Sequence, residues 1–561
     1  MATIRVEHLK YKYPHTDRLV LDDLSFTIQP GEFIGIVGEN GAGKSTLCQA
    51  FSGLVPLFHK GAYGGEVYID DLAVSHAQIA DVCQKVGLVF QNPFNQMTGA
   101  KDTVFEEVAF GLQNYGIDRE EIIKRVNEVL KLLDIEQFKD KNPFDLSGGQ
   151  MQRVAIASIL VLKPEIIVLD EPTSQLDPQG SDEVFKAIDV LTKQGMTVIV
   201  VEQKMEKIAS YCHRILLMHK GKMIDFDKPE VVFSRNDLSE MGVEPPIYTS
   251  FSKKFGIMHE GYYPVTLEML ESCLKSVSLN EQEVINVSID HTKDIFEVKD
   301  MTFGYDDTSV LSHFDLNLDQ VPTAIVGQNG AGKTTLVKLL KGLLKPVSGS
   351  IYYKGETTEN KTVAMLAGEI GYVFQNPDDQ IFKYHVIDEV MFGPMQIGMS
   401  EEEAKNISLE MLELVGLKEY ADANPYDLEL NQRKLIAIAS VLAMKTDVLI
   451  LDEPTIAQDA KGKALIGTIV EKMKKEGKLV ISILHDMNFA ARYFERVIVM
   501  KHGKVLSDGS KYEVFRQKEV LKEAKLEQPD YVKLSEYLGC KNIYMTLEEM
   551  EKALNGTASD H

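Results

Sequence analysis

Short apolar runs punctuate the chain in a repeating order. The largely apolar stretches FIGIV before Gly38 and TAIV before Gly327 are each followed by a glycine-rich loop, the pattern of a strand that turns into a phosphate-type loop. Four apolar residues end in Asp170 (IIVLD) and four more end in Asp452 (VLILD). Continuous runs of this kind predict strands buried on both faces of a parallel sheet, each delivering a carboxylate to the sheet's C-terminal edge. NPYDLELNQRKLIAIAS at 424–440 reads as a loop running into an amphipathic helix. No apolar run approaches the roughly 18 residues that a membrane-spanning helix requires.

The pattern is written twice. GEFIGIVGENGAGKSTL pairs with VPTAIVGQNGAGKTTL, VGLVFQNPFNQ with IGYVFQNPDDQ, and EIIVLDEPTSQLD with DVLILDEPTIAQD. The last pair lies 282 residues apart (170 to 452), and the same offset carries TVIVVEQKM onto LVISILHDM. Self-similarity at so long a period indicates duplicated domains. TLEMLESCL near residue 270 answers TLEEMEKAL near 550, so each copy carries a small C-terminal appendage. The expected organisation is a first domain at 1–228, its appendage plus a linker at 229–292, a second domain at 293–512 and its appendage at 513–561.

Composition fits a soluble globular protein, with 44% hydrophobic and 26% charged residues in 561. Such a length exceeds what one core organises. A net charge of −24 argues against a broad nucleic-acid-binding surface. The five isolated cysteines and a start without a signal-peptide pattern favour a reducing, cytoplasmic setting. Neither the cysteines nor the 22 methionines cluster as a metal site would.

GENGAGKS (Gly38 to Ser45) and GQNGAGKT (Gly327 to Thr334) both match the phosphate-binding loop G-x-x-x-x-G-K-[ST]. The glycines Gly38, Gly41, Gly43, Gly327, Gly330 and Gly332, with Asn40 and Asn329 between them, let backbone amides curl round a polyphosphate at a helix N-terminus. Lys44 and Lys333 reach the outer phosphates, and Thr46 and Thr335 follow in the first helical turn. Ser45 and Thr334 offer hydroxyls, and Asp170 and Asp452 carboxylates, to Mg²⁺, which takes oxygen ligands. Glu171 and Glu453 stand where a general base polarises water for attack on a γ-phosphate.

On these motifs the chain resembles two tandem nucleotide-binding domains of the ATP-binding cassette superfamily. The resemblance implies an α/β fold of two phosphate-loop cassettes, each with a helical subdomain, that hydrolyse ATP with Mg²⁺. LSGGQ at Leu146 to Gln150 matches the family signature through Ser147, Gly148, Gly149 and Gln150. Gln91 and Gln375 match the Q-loop glutamine, which the family also places in the Mg²⁺ shell. Tyr13 and Tyr305 match the aromatic that stacks on adenine, and Asp177 and Asp459 fit the D-loop. In that family the two cassettes pair head to tail, so each ATP lies between the phosphate loop of one and the signature of the other.

The copies differ where this pairing matters. SGGQ becomes ELNQ at Glu429 to Gln432, and the family's switch histidine, His485 in the second copy, is Gln203 in the first. Glu429 adds a negative charge, and Leu430 and Asn431 add side chains where glycines let backbone approach. Glutamine carries no positive charge. Both departures fall on the site built round Lys44, which predicts one hydrolytic site (Lys333, Thr334, Gln375, Asp452, Glu453, His485) and one degenerate ATP-binding site.

FQNPFNQ with TVFEEVAFGLQNYGI, and FQNPDDQ with HVIDEVMFGPMQIGM, are similar to the ATPases of energy-coupling factor importers of vitamins, their precursors or transition-metal ions. The resemblance implies a peripheral place on the cytoplasmic face of the membrane, bound to a transmembrane coupling subunit and a substrate-binding membrane subunit. Asp378 and Asp379 are then candidates for pairing with a basic residue of the partner, or form a solvated turn. Two other readings stay open: the tandem ATPase of a sugar or nucleoside importer, and a soluble ribosome-associated cassette protein, which usually has a long charged helical linker.

Overall fold

A computed structural model describes residues 2–14, 16–174, 176, 178–274, 280–281, 294–305 and 308–555. The chain divides into two compact units, Met1–Leu279 and Asn280–Asn555. Each contains the same two sheets.

In the first unit a six-stranded sheet runs in the order Lys222–Asp227, Arg214–His219, Phe33–Val37, Thr197–Val201, Ile166–Asp170, Val86–Val89. Its last five strands are parallel, and the edge strand Lys222–Asp227 is antiparallel. Phe33–Val37, Ile166–Asp170 and Thr197–Val201 are buried at every position. That explains their unbroken apolar sequence: crossover connections cover both faces of a parallel sheet. The second unit repeats the order in Lys504–Ser510, Arg496–Lys501, Thr323–Gly327, Leu479–Leu484, Val448–Asp452, Ile370–Val373.

A four-stranded antiparallel sheet adjoins each. It is built on Ile4–Lys12 between Leu21–Ile28 and Ala62–Ile69 in the first unit, and on Phe296–Tyr305 between Thr308–Leu318 and Ser348–Tyr353 in the second. Three helices form the helical part of each unit: Val104–Asn114, Arg119–Leu132 and Gly148–Leu160, and their counterparts Val386–Gln396, Glu401–Leu414 and Leu430–Leu442. The fold is thus α/β with two sheet-containing halves.

The segment after each cassette is a set of short helices. Ile247–Phe255 and Leu267–Leu274 have nine and eight residues, which accounts for the lack of a long periodic run in the sequence. They are not separate cores. Val232, Phe233, Leu238 and Val265 join the main apolar cluster of the first unit, and Val514, Phe515, Leu521 and Val532 that of the second. Of the expected appendage plus linker at 229–292, residues 275–279 and 282–292 lie outside the described residues.

Candidate functional site

The central strand of each parallel sheet ends in its glycine loop, and the following helix starts at the loop's lysine. Phe33–Val37 leads to Lys44–Phe51, and Thr323–Gly327 to Lys333–Lys341. Gly38 and Gly327 have φ of 150° and 155°. A Cβ at either would lie 2.2 Å from a main-chain oxygen, Met218 or Met500, on the adjacent strand. Strand and loop therefore pack at a distance that admits hydrogen alone. Gly43 and Gly332 cap the two helices with φ of 96° and 94°, leaving the first-turn amides without a side-chain cap. Such a terminus suits an anion.

The loop lysines are buried and fold back on their own loops. Lys44 Nζ donates to the carbonyls of Gly38 and Glu39, each at 2.7 Å, and Lys333 Nζ to those of Gly327 and Gln328 at 2.7 and 3.1 Å. Burial lowers the Lys333 pKa against the opposing pull of Glu453 and Asp452.

In the second unit, Glu453 is held on both carboxylate oxygens. Gln375 Nε2 donates to Oε2 at 2.8 Å, and His485 Nε2 lies 2.8 Å from Oε1. Since a carboxylate can only accept, Nε2 carries the proton in this contact. Burial alone would push the Glu453 pKa up, but hydrogen bonding and charge from His485, with Lys333 and Lys434 nearby, bring it below its ordinary value. Asp452 accepts from the Tyr372 hydroxyl at 2.9 Å and the Thr334 hydroxyl at 3.4 Å; burial and Glu453 raise its pKa.

The first unit keeps the frame and changes the charge. Gln91 Nε2 donates to Glu171 Oε2 at 2.6 Å, and Gln203 Nε2 to Oε1 at 2.9 Å. Burial pushes the Glu171 pKa up to about 7, aided by Asp170 and by Glu202 and resisted by Lys44 and Gln203. Glu202 is buried where the second unit has Leu484, and it accepts from the Thr173 hydroxyl and from Gln203 N at 2.8 Å. The first glutamate therefore sits with two buried acids, one lysine and a neutral amide, whereas the second sits with one buried acid, a histidine and two lysines.

The signature segments superpose in backbone terms and differ in side chains. Ser147 caps Gly148–Leu160 at φ −64°, ψ 156°, and Glu429 caps Leu430–Leu442 at φ −65°, ψ 158°. Both close a capping box, with Gln150 Oε1 accepting from Ser147 N and Gln432 Oε1 from Glu429 N, each at 3.1 Å. Glu429 thus stands as the N-cap of its own helix. That places a negative charge at the positive end of the helix dipole, the position a phosphate would otherwise take.

Ser45 bonds to Asp170 as Thr334 does to Asp452. A hydroxyl and a carboxylate side by side are hard oxygen donors, so this pair fits Mg²⁺ completed by substrate phosphates. Thr46 and Thr335 are buried in the first helical turn, and Asn40, Asn329, Gly41 and Gly330 lie in the loops. The Tyr13 hydroxyl contacts Thr46 Oγ1 and Gln49 Oε1, both at 3.2 Å, while Tyr305 is exposed. Asp459 caps Ala460–Lys475; Asp177 lies outside the described residues. Asp378 lies 3.1 Å from the chain's own Arg433, so the turn has an internal ion pair. Lys434, Glu202 and Tyr372 were missed because the sequence reading compared motifs. A position-by-position comparison of the copies, which sets Lys434 against Gln152 and Glu202 against Leu484, would have found the first two.

Fold and site together define a tandem phosphate-loop nucleotide-binding protein. The family profile described as ABC transporter matches residues 21–174 and 312–456, and the chain belongs to that family as a tandem ATP-hydrolysing cassette protein. Inferred ABC transporter ATP-binding proteins are similar over nearly the whole length. One from Caldanaerobacter subterraneus subsp. tengcongensis is 36% identical over 98% of both chains. One from Methanosarcina acetivorans is 36% identical over 94% of this chain and 89% of its own. The solved structure of cbiO1 from Clostridium perfringens, described as part of the ABC transporter complex cbiONQ, is 34% identical; it covers 44% of this chain and 100% of its own, with a TM-score of 0.38.

Proposed function

We propose that the chain is the motor subunit of an energy-coupling-factor-type membrane importer, in which one composite site hydrolyses ATP and the other binds it as a clamp. The hydrolytic site is that of Lys333, Thr334, Gln375, Asp452, Glu453 and His485, to which the head-to-tail pairing implied by the resemblance would add Ser147, Gly148 and Gly149. The clamp site is that of Lys44, Ser45, Gln91, Asp170, Glu171 and Gln203, to which the same implied pairing would bring the ELNQ segment. The observation that carries the asymmetry is the contrast between Glu453, bonded to His485 with Asp452, Lys333 and Lys434 nearby, and Glu171, bonded to Gln203 with Asp170, Glu202 and Lys44 nearby.

At the hydrolytic site, a water attacks the γ-phosphorus in line with the bond to the bridging oxygen, which breaks to leave ADP. Glu453 accepts the water's proton, which departs with the phosphate. Gln375 and His485 hold the carboxylate from either side, leaving each oxygen a second lone pair for the water. Lys333 and the loop amides neutralise the phosphates, and in the head-to-tail pairing that the resemblance implies, the Ser147 hydroxyl and the amides of Gly148 and Gly149 would add donors to the γ-phosphate. Thr334 and Asp452 would hold Mg²⁺, which would supply charge neutralisation to the phosphates.

The membrane-partner reading rests on the segments after the Q-loop glutamines. Asn92 and Asn376 cap matching short turns, Pro93–Asn95 and Pro377–Asp379. Exposed aromatics follow them: Phe94 in the first unit, and Phe382, Tyr384 and Phe392 in the second. Apolar side chains left at a surface suit docking of a partner helix. No helix among the described residues is long and apolar enough to cross a membrane. Affinity purification from membranes tests this: two membrane proteins, one of them common to several cargoes, are expected, and recovery with ribosomes contradicts it.

A further inference from the structure

The carbonyl of the catalytic turn changes partner between the copies. In the first unit Glu171 O accepts from the Ser174 hydroxyl at 3.1 Å. The second unit has Ile456 at that position, and Glu453 O accepts instead from Lys434 Nζ at 3.0 Å. The exchange is matched on the other side: Lys434 corresponds to Gln152, whose Nε2 goes to Phe90 O at 3.4 Å and whose Oε1 has no partner among the described residues. Lys434 is 4% exposed, and a buried ammonium is costly unless it is paired. Glu453 has φ of 51°, a backbone conformation that a side chain other than glycine keeps when its surroundings hold it.

Lys434 lies on Leu430–Leu442, the helix that begins in the degenerate signature. A second tie fixes the start of that helix. Gln458, 1% exposed where the first unit has Leu176, donates from Nε2 to Asn431 O at 3.0 Å. A Cβ at Gly462 would lie 2.2 Å from Gln458 Oε1, so the glycine makes room for this tie.

We propose that Lys434 is a positioning residue for ATP hydrolysis, holding the Glu453 turn from the helix of the degenerate signature in the role that the Ser174 hydroxyl has in the first unit. The ELNQ helix thereby supports the hydrolytic glutamate of its own unit. The inference rests on the reading of Glu453 as the hydrolytic glutamate.

The test is steady-state ATP hydrolysis by the full chain, with ATP affinity measured by calorimetry. Lys434→Gln is expected to lower kcat about 10-fold or more, the scale of a misplaced catalytic group, with KM changed less than about 2-fold. Lys434→Arg, and Lys434→Gln combined with Ile456→Ser, give the carbonyl a donor again and are expected to recover kcat to within about 3-fold. These two carry the test if the single variant does not fold. An unchanged kcat in Lys434→Gln, or a folded double variant still about 10-fold slow, overturns the proposal. A Glu453→Gln chain that keeps full turnover overturns the underlying reading of Glu453 instead.

Discussion

The Thr173 hydroxyl donates to the carboxylate of Glu202, fixing a third buried acid beside Asp170 and Glu171 in the first unit. The second unit has Leu484 there, so its catalytic turn carries one acid fewer. This difference and the exchange of His485 for Gln203 set opposite electrostatic environments round two glutamates of the same backbone geometry.

The first consequence is a stability effect of one sign. The Glu171 pKa rises from 4.5 to about 7 on folding, so the folded chain binds the extra proton between those values and loses stability as pH climbs through that window. Glu171→Gln removes the cost, which is about 3 kcal/mol for a buried group above pH 7. Thermal melts of the nucleotide-free chain at pH 5 and pH 8 are expected to show the variant gaining at pH 8 and converging with the parent at pH 5.

Glu453 predicts the opposite. Its pKa is lowered in the folded chain, so its ionised form contributes stability above the ordinary carboxylate range that is lost as pH falls. Glu453→Gln is expected to lower the melting temperature at pH 8 and to cost less as the solution is acidified. Equal shifts for both variants would contradict the charge asymmetry.

Close packing of the glycine loops gives a third prediction. Gly38→Ala and Gly327→Ala each put a methyl group 2.2 Å from a carbonyl oxygen of the neighbouring strand, at a backbone angle that disfavours alanine. Each is expected to destabilise its unit by at least ~2 kcal/mol and to abolish ATP binding there. Urea unfolding and nucleotide titration of the two variants check this.

Repairing the signature tests what Glu429 does. Replacing Glu429–Leu430–Asn431 by Ser-Gly-Gly removes the carboxylate from the helix N-terminus and restores close backbone approach. In a Glu453→Gln background this repair, together with Gln203→His, is expected to raise residual hydrolysis several-fold. No gain would show that the clamp site is limited by Glu171's surroundings instead.

Much of this was legible in the sequence because the fold repeats. The buried strands ending in Asp170 and Asp452 and the glycine loops before Lys44 and Lys333 are unbroken local signals. The chain's second writing of each also removed coincidence. What the sequence reading missed lies in long-range pairings. Lys434 reaches Glu453 across 19 residues and Thr173 reaches Glu202 across 29, and neither pair lies within one motif. The pairing of Asp378 with Arg433, 55 residues later (378 to 433) and in a different element, is of the same kind. Glu429 keeps the backbone of Ser147 to within a few degrees, so the lost chemistry left no trace in the predicted helix.

The most direct test of a single hydrolytic site is single-turnover and steady-state ATP hydrolysis by Glu453→Gln and Glu171→Gln, compared with the parent chain under the same conditions. Loss of a positioned general base predicts a fall of at least about 100-fold for Glu453→Gln, with Glu171→Gln keeping most of the parent rate. Comparable losses from the two substitutions would contradict the account, because they would mean that the ELNQ segment still completes a working site.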